Sequence, residues 1–232
     1  MKSGKVTRGA ESTTKRWYDD ACGTALALEF VGERWSLLVM RELVFGPRRF
    51  GEIKTNLPGI SANVLTQRLE SLETAGILVR RRLPSPANVQ VYDLTRWGHE
   101  AAPLMRDLGR WAARSPRHDP MAFMSGASAM MSLQTLVDPA RVTDAEMTVA
   151  FAMPADHFVV RTGRDGVTVV RGAEDRADVA FTGDTMAMRR TIYGKEGFDR
   201  EGTLALSGDP AIAQAFVDLF ALPEKADAAA TG

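Results

Sequence analysis

The sequence predicts an α+β protein in two parts: helices followed by a β-hairpin, then an antiparallel sheet covered by helices. Three observations carry this. Before His118, apolar residues recur at helical spacing until two β-rich runs flank a turn-rich pentapeptide. After Asp119, four short β-type runs separated by turn residues are followed by two further helical stretches around one more short strand. Charge and composition change at the same place. Residues 1–118 hold 19 of the 29 Lys and Arg but 12 of the 29 Asp and Glu, so a formally neutral chain of 232 residues divides into a basic and an acidic half. All four Trp precede the change and eight of the eleven Met follow it.

Ser115–Pro120 has two prolines and no apolar side chain, and reads as a linker. The expected organisation is a basic arm over 1–19, a first domain over 20–115, a linker over 116–120, a second domain over 121–222 and a flexible tail over 223–232. One Cys excludes an internal disulfide framework, and His99, His118 and His157 are too scattered to build a metal site. No metal or cofactor is expected. No apolar run reaches the roughly 18 residues that span a bilayer, and the basic N-terminus lacks an apolar stretch behind it. The expectation is a cytoplasmic protein without membrane contact.

In the first domain, Thr24–Gly32 reads as a short helix. Trp35–Phe45 reads as a second, with Trp35, Leu38, Val39 and Leu43 on one stripe, stopped by Gly46-Pro47. A third runs from Arg49 to about Asn56, and Pro58-Gly59 turns the chain. Ser61 then stands as N-cap before ANVLTQRLESLETAG, where Leu65, Leu69 and Leu72 share a face and Asn63, Gln67, Glu70 and Thr74 lie opposite, with Thr66 beside them. Two short helices around a Pro-Gly turn, the second with a polar outer face, describe a helix-turn-helix. The runs ILVRRRL and VQVYDL around Pro84–Asn88 form a hairpin, and a hairpin after such a helix is a wing. Thr95 caps a last helix whose stripe of Trp97, Ala101, Leu104, Leu108 and Trp111 is too wide for its own small domain and points to a subunit interface. Pro103 predicts a break near Glu100.

These landmarks fall in the order of a known family. Cys22, Gly32 with Trp35, Arg41-Glu42-Leu43, Gly46-Pro47-Arg48-Arg49-Phe50, Leu57–Ser61, Leu65–Leu69 and Tyr92–Thr95 before Gly98 resemble the HxlR-type winged helix-turn-helix transcriptional regulators, over about residues 20–115. The resemblance implies a regulator that binds inverted-repeat operators in double-stranded DNA as a homodimer joined by its terminal helices. It also implies attention to Cys22, since some members sense oxidants or electrophiles through a Cys there. The helix start just after Cys22 lowers a thiol pKa, while Asp19 and Asp20 raise it. The plainer reading of Cys22 is a small residue packed near the dimer interface.

Phosphates supply affinity and base edges supply specificity. Arg48 and Arg49 are expected to reach the backbone, as are the free N–H groups behind Ser61. Asn63, Thr66 and Gln67 are expected to meet bases. Arg68, at the flank of the leucine line, is expected at a phosphate or in a salt bridge. Of Arg80, Arg81 and Arg82, those pointing off the core are expected in a minor groove or on phosphates, with one free to pair with Glu70 or Glu73.

The second domain is expected to begin with a Met-rich helix over Met121–Val137, continue with an antiparallel meander, and end with helices over Asp184–Tyr193 and Pro210–Phe220. The ending GTLALSGDPAIAQAFVDLF resembles that of sterol-carrier-protein-2-like domains, over about residues 120–222. That resemblance implies an apolar tunnel and an apolar small-molecule effector. Met121, Met124, Met130, Met131, Phe151, Met153, Phe158, Met186, Met188 and Phe216 are its candidate lining, with a solid core as the alternative for each. No Gly-rich phosphate loop or ordered Ser/His/acid set supports catalysis, so no enzyme is expected. A DNA-binding repressor with a ligand-sensing second domain is the leading reading. A redox regulator acting through Cys22 and a lipid carrier with an interaction module stand as alternatives.

Overall fold

The computed structural model describes residues 18–164 and 166–226. The expected basic arm, apart from Tyr18 and Asp19, lies outside the described residues, as do Asp165 and the end of the tail from residue 227.

The first part runs α1 (Gly23–Val31), α2 (Ser36–Leu43), α3 (Phe50–Asn56), α4 (Ala62–Thr74), β1 (Leu78–Arg82), β2 (Gln90–Leu94), α5 (Arg96–Glu100) and α6 (Ala102–Ala113). Val39, Met40 and Leu43 of α2, Ile53 of α3 and Leu65, Leu69 and Leu72 of α4 converge as the core. Each such side chain contributes about 1.5–3 kcal/mol through burial. After α4 the chain needs a left-handed residue to reverse, and Gly76 supplies it at φ 73°. Proline has no N–H for a helix interior, so the helical run breaks after Glu100 and restarts with Pro103 in its first turn. β1 and β2 pair antiparallel, Leu78 opposite Leu94 and Arg80 opposite Tyr92.

The second part runs α7 (Gly126–Leu136), β3 (Met147–Ala152), β4 (His157–Gly163), β5 (Gly166–Arg171), β6 (Val179–Thr182), α8 (Thr185–Ile192), β7 (Ala205–Gly208) and α9 (Pro210–Asp218). Three expectations are corrected. The Met-rich helix starts at Gly126, not Met121. Asp119 accepts a hydrogen bond from the Met121 N–H and turns the chain there. Ser125 then caps the helix by accepting from the Ser128 N–H at 3.1 Å. The sheet is mixed rather than antiparallel throughout. Its order is β5-β4-β3-β6-β7, and β6 runs parallel to β3, with Val149 opposite Val179. Only β3-β4-β5 form a meander, because the stretch after β5 carries β6 across to the other edge of β3. The tail is fastened where it begins: Lys225 Nζ donates to the carbonyls of Ala113, Ser115 and His118, and Glu224 O accepts from Arg114 Nε.

Helix α7 packs on β5 and α9 on β7, and α8 lies against both of these helices. Phe151, Phe181, Phe216 and Phe220 fill the space between, with centroids of neighbouring rings 5.0–6.2 Å apart. One apolar cluster runs through both parts of the chain.

Candidate nucleic-acid interface

Helix α4 is built to present one polar face. Ser61 Oγ accepts from the Val64 N–H at 3.2 Å, which fixes where the first turn starts and leaves the free N–H groups of that turn pointing out of the fold. Its three leucines are at most 1% exposed. The rotation that buries them turns Asn63, Thr66 and Gln67 to solvent. Among the described residues, these three side chains make no hydrogen bond. Helix α3 precedes α4 across the Leu57–Ile60 turn, where Gly59 takes φ 91°, and gives the second helix its angle.

The basic residues divide more sharply than their spacing foretold. Arg49 is exposed beside the start of α3, its backbone N–H held by Glu52 at 2.7 Å. Arg48 is not available to a phosphate. It is 6% exposed and its guanidinium is bound to Asp156, so the expected backbone contact is corrected to a buried ion pair. Arg68 pairs with Glu33 at 3.2 Å, the salt-bridge side of its expectation. On the wing, β1 is exposed on both faces beyond Leu78, so no face of it packs on a core and all three arginines reach solvent. Arg81 binds Asp93 at 2.7 Å, Arg82 donates to Asn88 O at 3.3 Å, and Arg80 lies 3.9 Å from Glu73. Exposed pairs of this kind hold weakly and can exchange a carboxylate for a phosphate.

The pairing of Arg48 belongs to a junction that the sequence did not disclose. Asp156 sits between Arg48 and Arg171, with Arg171 Nε 3.4 Å from Asp156 Oδ1. Arg171 also donates to Gly46 O at 3.3 Å and lies over the Phe158 ring. Burial, with Arg48 alongside, pulls the Arg171 guanidinium below its ordinary pKa. Close by, Glu42 accepts from Ser125 Oγ at 2.7 Å, from Arg41 and from Asn56. These bonds fix the second part of the chain against the corner between α2 and α3. A signal existed: Glu42 occupies a buried position of α2 beside Val39 and Leu43, and a carboxylate there needs partners.

The candidate lining residues of the second part are largely core. Phe151, Phe158, Phe216 and Met188 are at most 1% exposed, and Met130 and Met153 are buried with them. Met121 and Met186 face solvent, each 41% exposed. Met124 and Met131 alone among these residues line a cavity of about 740 Å³, which lies where α1, α2, α6 and α7 meet.

Cys22 is exposed at the start of α1. Backbone N–H groups of Thr24 and Ala25, with the Thr24 side chain, hold its thiol below the ordinary value.

A winged helix-turn-helix with a polar, unengaged second helix defines a DNA-binding protein of the transcription-regulator class. The profile of the HxlR-like helix-turn-helix family matches residues 30–119. YvaP of Bacillus subtilis, an HTH-type transcriptional regulator, is 36% identical over 87 residues, which cover 37% of this chain and 80% of that protein. YodB of the same organism, also an HTH-type transcriptional regulator, is 35% identical over 86 residues, covering 37% of this chain and 77% of that one. The regulator sll1512 of Synechocystis is 41% identical over 85 residues, covering 36% of this chain and 62% of that one. Among solved structures, the reduced form of YodB has a TM-score of 0.38 at 32% identity, covering 42% of this chain and 98% of that one. The chain belongs to the HxlR-like helix-turn-helix family of transcriptional regulators. Among the described residues, no helix is long and apolar enough to cross a membrane.

Proposed function

We propose that this regulator acts as a homodimeric repressor. It reads an inverted-repeat operator by setting α4 into the major groove, and it answers to an apolar small molecule through its C-terminal part. The observation that carries the reading is the row Asn63, Thr66 and Gln67, exposed on a helix whose other face is locked by three buried leucines. Asn and Gln amides can pair bidentately with adenine and the Thr methyl can touch a thymine methyl. Arg49 and the wing arginines supply the phosphate contacts that set register.

Dimerisation is supported by an apolar face with no cover. Leu104, Leu108 and Trp111 of α6 are 68%, 49% and 72% exposed, and Leu26 and Leu28 of α1 are exposed as well. So much bare apolar surface on neighbouring helices is what a subunit interface buries. The order helix, meander, strand, helix, strand, helix supports a sterol-carrier-protein-2-like reading of the second part. Its packed phenylalanines are the reason to seek the effector elsewhere than between sheet and helices.

Selection of duplexes from a random library, followed by footprinting, tests the reading. The expected result is a palindrome whose half-sites are centred about one helical turn apart, some 34 Å. Enrichment of no sequence, or of an asymmetric single site bound by a monomer, would overturn it. A second reading rests on Cys22: an exposed thiol with a depressed pKa is a place where oxidant could enter, and any disulfide would have to join two chains or trap a small thiol. Loss of oxidant-triggered DNA release in Cys22→Ser would favour it.

A further inference from the structure

The cavity at the junction has a composition that none of the DNA-reading account uses. Its walls come from both parts of the chain: Leu37 and Leu38 of α2, Met105 and Leu108 of α6, and Met124 and Met131 from the second part. Its volume, about 740 Å³, falls within the range of small-molecule sites, roughly 300–1,000 Å³. Helix α7 also brings hydroxyls to the wall, but they are turned away. Ser128 Oγ donates to Ser125 O, Thr135 Oγ1 donates to Met131 O at 2.8 Å, and Ser132 Oγ lies 2.7 Å from both Ala129 O and Tyr193 Oη. Helical Ser and Thr bonded back to the preceding turn show carbon to a neighbour rather than a free donor. Arg41 reaches the wall with its charge already bound to Glu42.

His118 breaks this pattern. It lines the same cavity, and its Nδ1 is buried without a hydrogen-bond partner among the described residues. A buried ring nitrogen left unpaired costs free energy that a ligand group can recover. Burial and the neighbouring Lys225 hold the imidazole pKa below its ordinary value, which favours the uncharged ring.

We propose that this cavity is a binding site for an uncharged, mainly apolar small molecule carrying one hydrogen-bonding group, which pairs with His118 Nδ1. A charged ligand is disfavoured because the wall is mainly apolar and its charges are engaged: Arg41 is bound to Glu42, Glu33 pairs with Arg68, and Arg34, which has no carboxylate partner among the described residues, lies with its guanidinium 5.3 Å from the centroid of the Trp35 ring. The position suits an effector, a role that rests on the regulator reading above. Helix α2 forms one wall, and α2 packs directly on α4. A ligand wedged between α2 and α7 bears on the element that seats the DNA-reading helix. It shifts DNA affinity only as far as it binds the two arrangements differently.

The test uses the full chain without DNA, so that its failure leaves the DNA-reading account standing. N-phenyl-1-naphthylamine, a neutral lipophilic fluorophore with a single N–H donor, is titrated into the protein. The expected result is saturable binding of one probe per chain, with enhanced and blue-shifted emission. Ala112→Phe and Gly109→Leu, both entering from the exposed wall on α6, are each expected to weaken binding at least tenfold. His118→Leu is expected to weaken it at least fivefold. Phe123→Ser, which removes an exposed ring outside the cavity, is expected to leave it unchanged. Non-saturating binding, or affinity equal to that of the parent chain in both filled variants, overturns the site. A loss in Phe123→Ser that matches the filled variants does the same. Full affinity in His118→Leu overturns the assigned hydrogen bond.

Discussion

Replacing Asp156 by Ala tests how firmly the second part of the chain is bound to the DNA-reading part. The Asp156 and Arg48 side chains are each 7% exposed and that of Arg171 is 19% exposed, so removing the carboxylate strands one fully buried and one mostly buried cation. Breaking a buried pair by deleting one partner typically costs about 3–5 kcal/mol. Arg171 keeps its bond to Gly46 O and some access to water, which places the expectation near the lower end, about 3 kcal/mol. For a chain of this size each kcal/mol lowers the melting temperature by about 2–4 °C, so Asp156→Ala should melt about 6–12 °C lower. Thermal unfolding followed by far-ultraviolet circular dichroism reads this directly. The paired variant Arg48→Met with Asp156→Ala removes one stranded cation, and its loss should fall short of the two single losses combined by about 1 kcal/mol or more. A melting temperature within about 2 °C of the parent, or simple additivity, would refute the buried bridge as the clamp.

Gly98→Ala should destabilise the chain by about 1–3 kcal/mol in urea titration, since a Cβ there would stand 2.1 Å from the Ile77 carbonyl oxygen, which belongs to backbone and cannot swing aside. If the chain dimerises through α6 as proposed, Leu104→Glu combined with Trp111→Glu should leave a monomer in sedimentation velocity without lowering the melting temperature of the monomeric unit; a persisting dimer would place the interface elsewhere. The Cys22 thiol should alkylate with iodoacetamide along a pH profile shifted to lower pH than that of the guanidinium-unfolded chain, because the N–H groups that favour its thiolate are lost on unfolding. Coincident profiles would remove the basis of the redox reading.

Local chemistry was readable from the chain. The leucine spacing, Ser61 as cap, the break before Pro103 and the hairpin all depend on neighbours within a few residues, and each element lies where that chemistry puts it. The family likeness rests on the same stretch, and so does the polar row on α4. What escaped depends on pairs far apart in sequence. Arg48 and Arg49 look alike side by side, yet one is buried because Asp156, 108 positions on, lies against it. Strand β6 reads equally well beside β5 or β3, and its pairing with β3 joins residues about 30 positions apart, such as Val149 and Val179. The Met-rich run looked helical from composition alone, although Ser125 followed by Gly-Ala-Ser carried a cap signal that marks the true start. The candidate lining residues failed for a related reason: alternation tells which side chains point inward, but not whether they leave a void. The cavity formed instead where two separately patterned halves meet.

Base reading by α4 is the claim on which the functional account turns. Its most direct measurement is the affinity of the parent and of Gln67→Ala for the selected operator and for a random duplex of equal length, at one salt concentration. The expected result is a loss on the operator of about tenfold or more, in keeping with a base contact worth about 1–3 kcal/mol, with random-duplex binding changed less than about twofold because phosphates carry it. Equal losses on the two duplexes, or none on either, would contradict it.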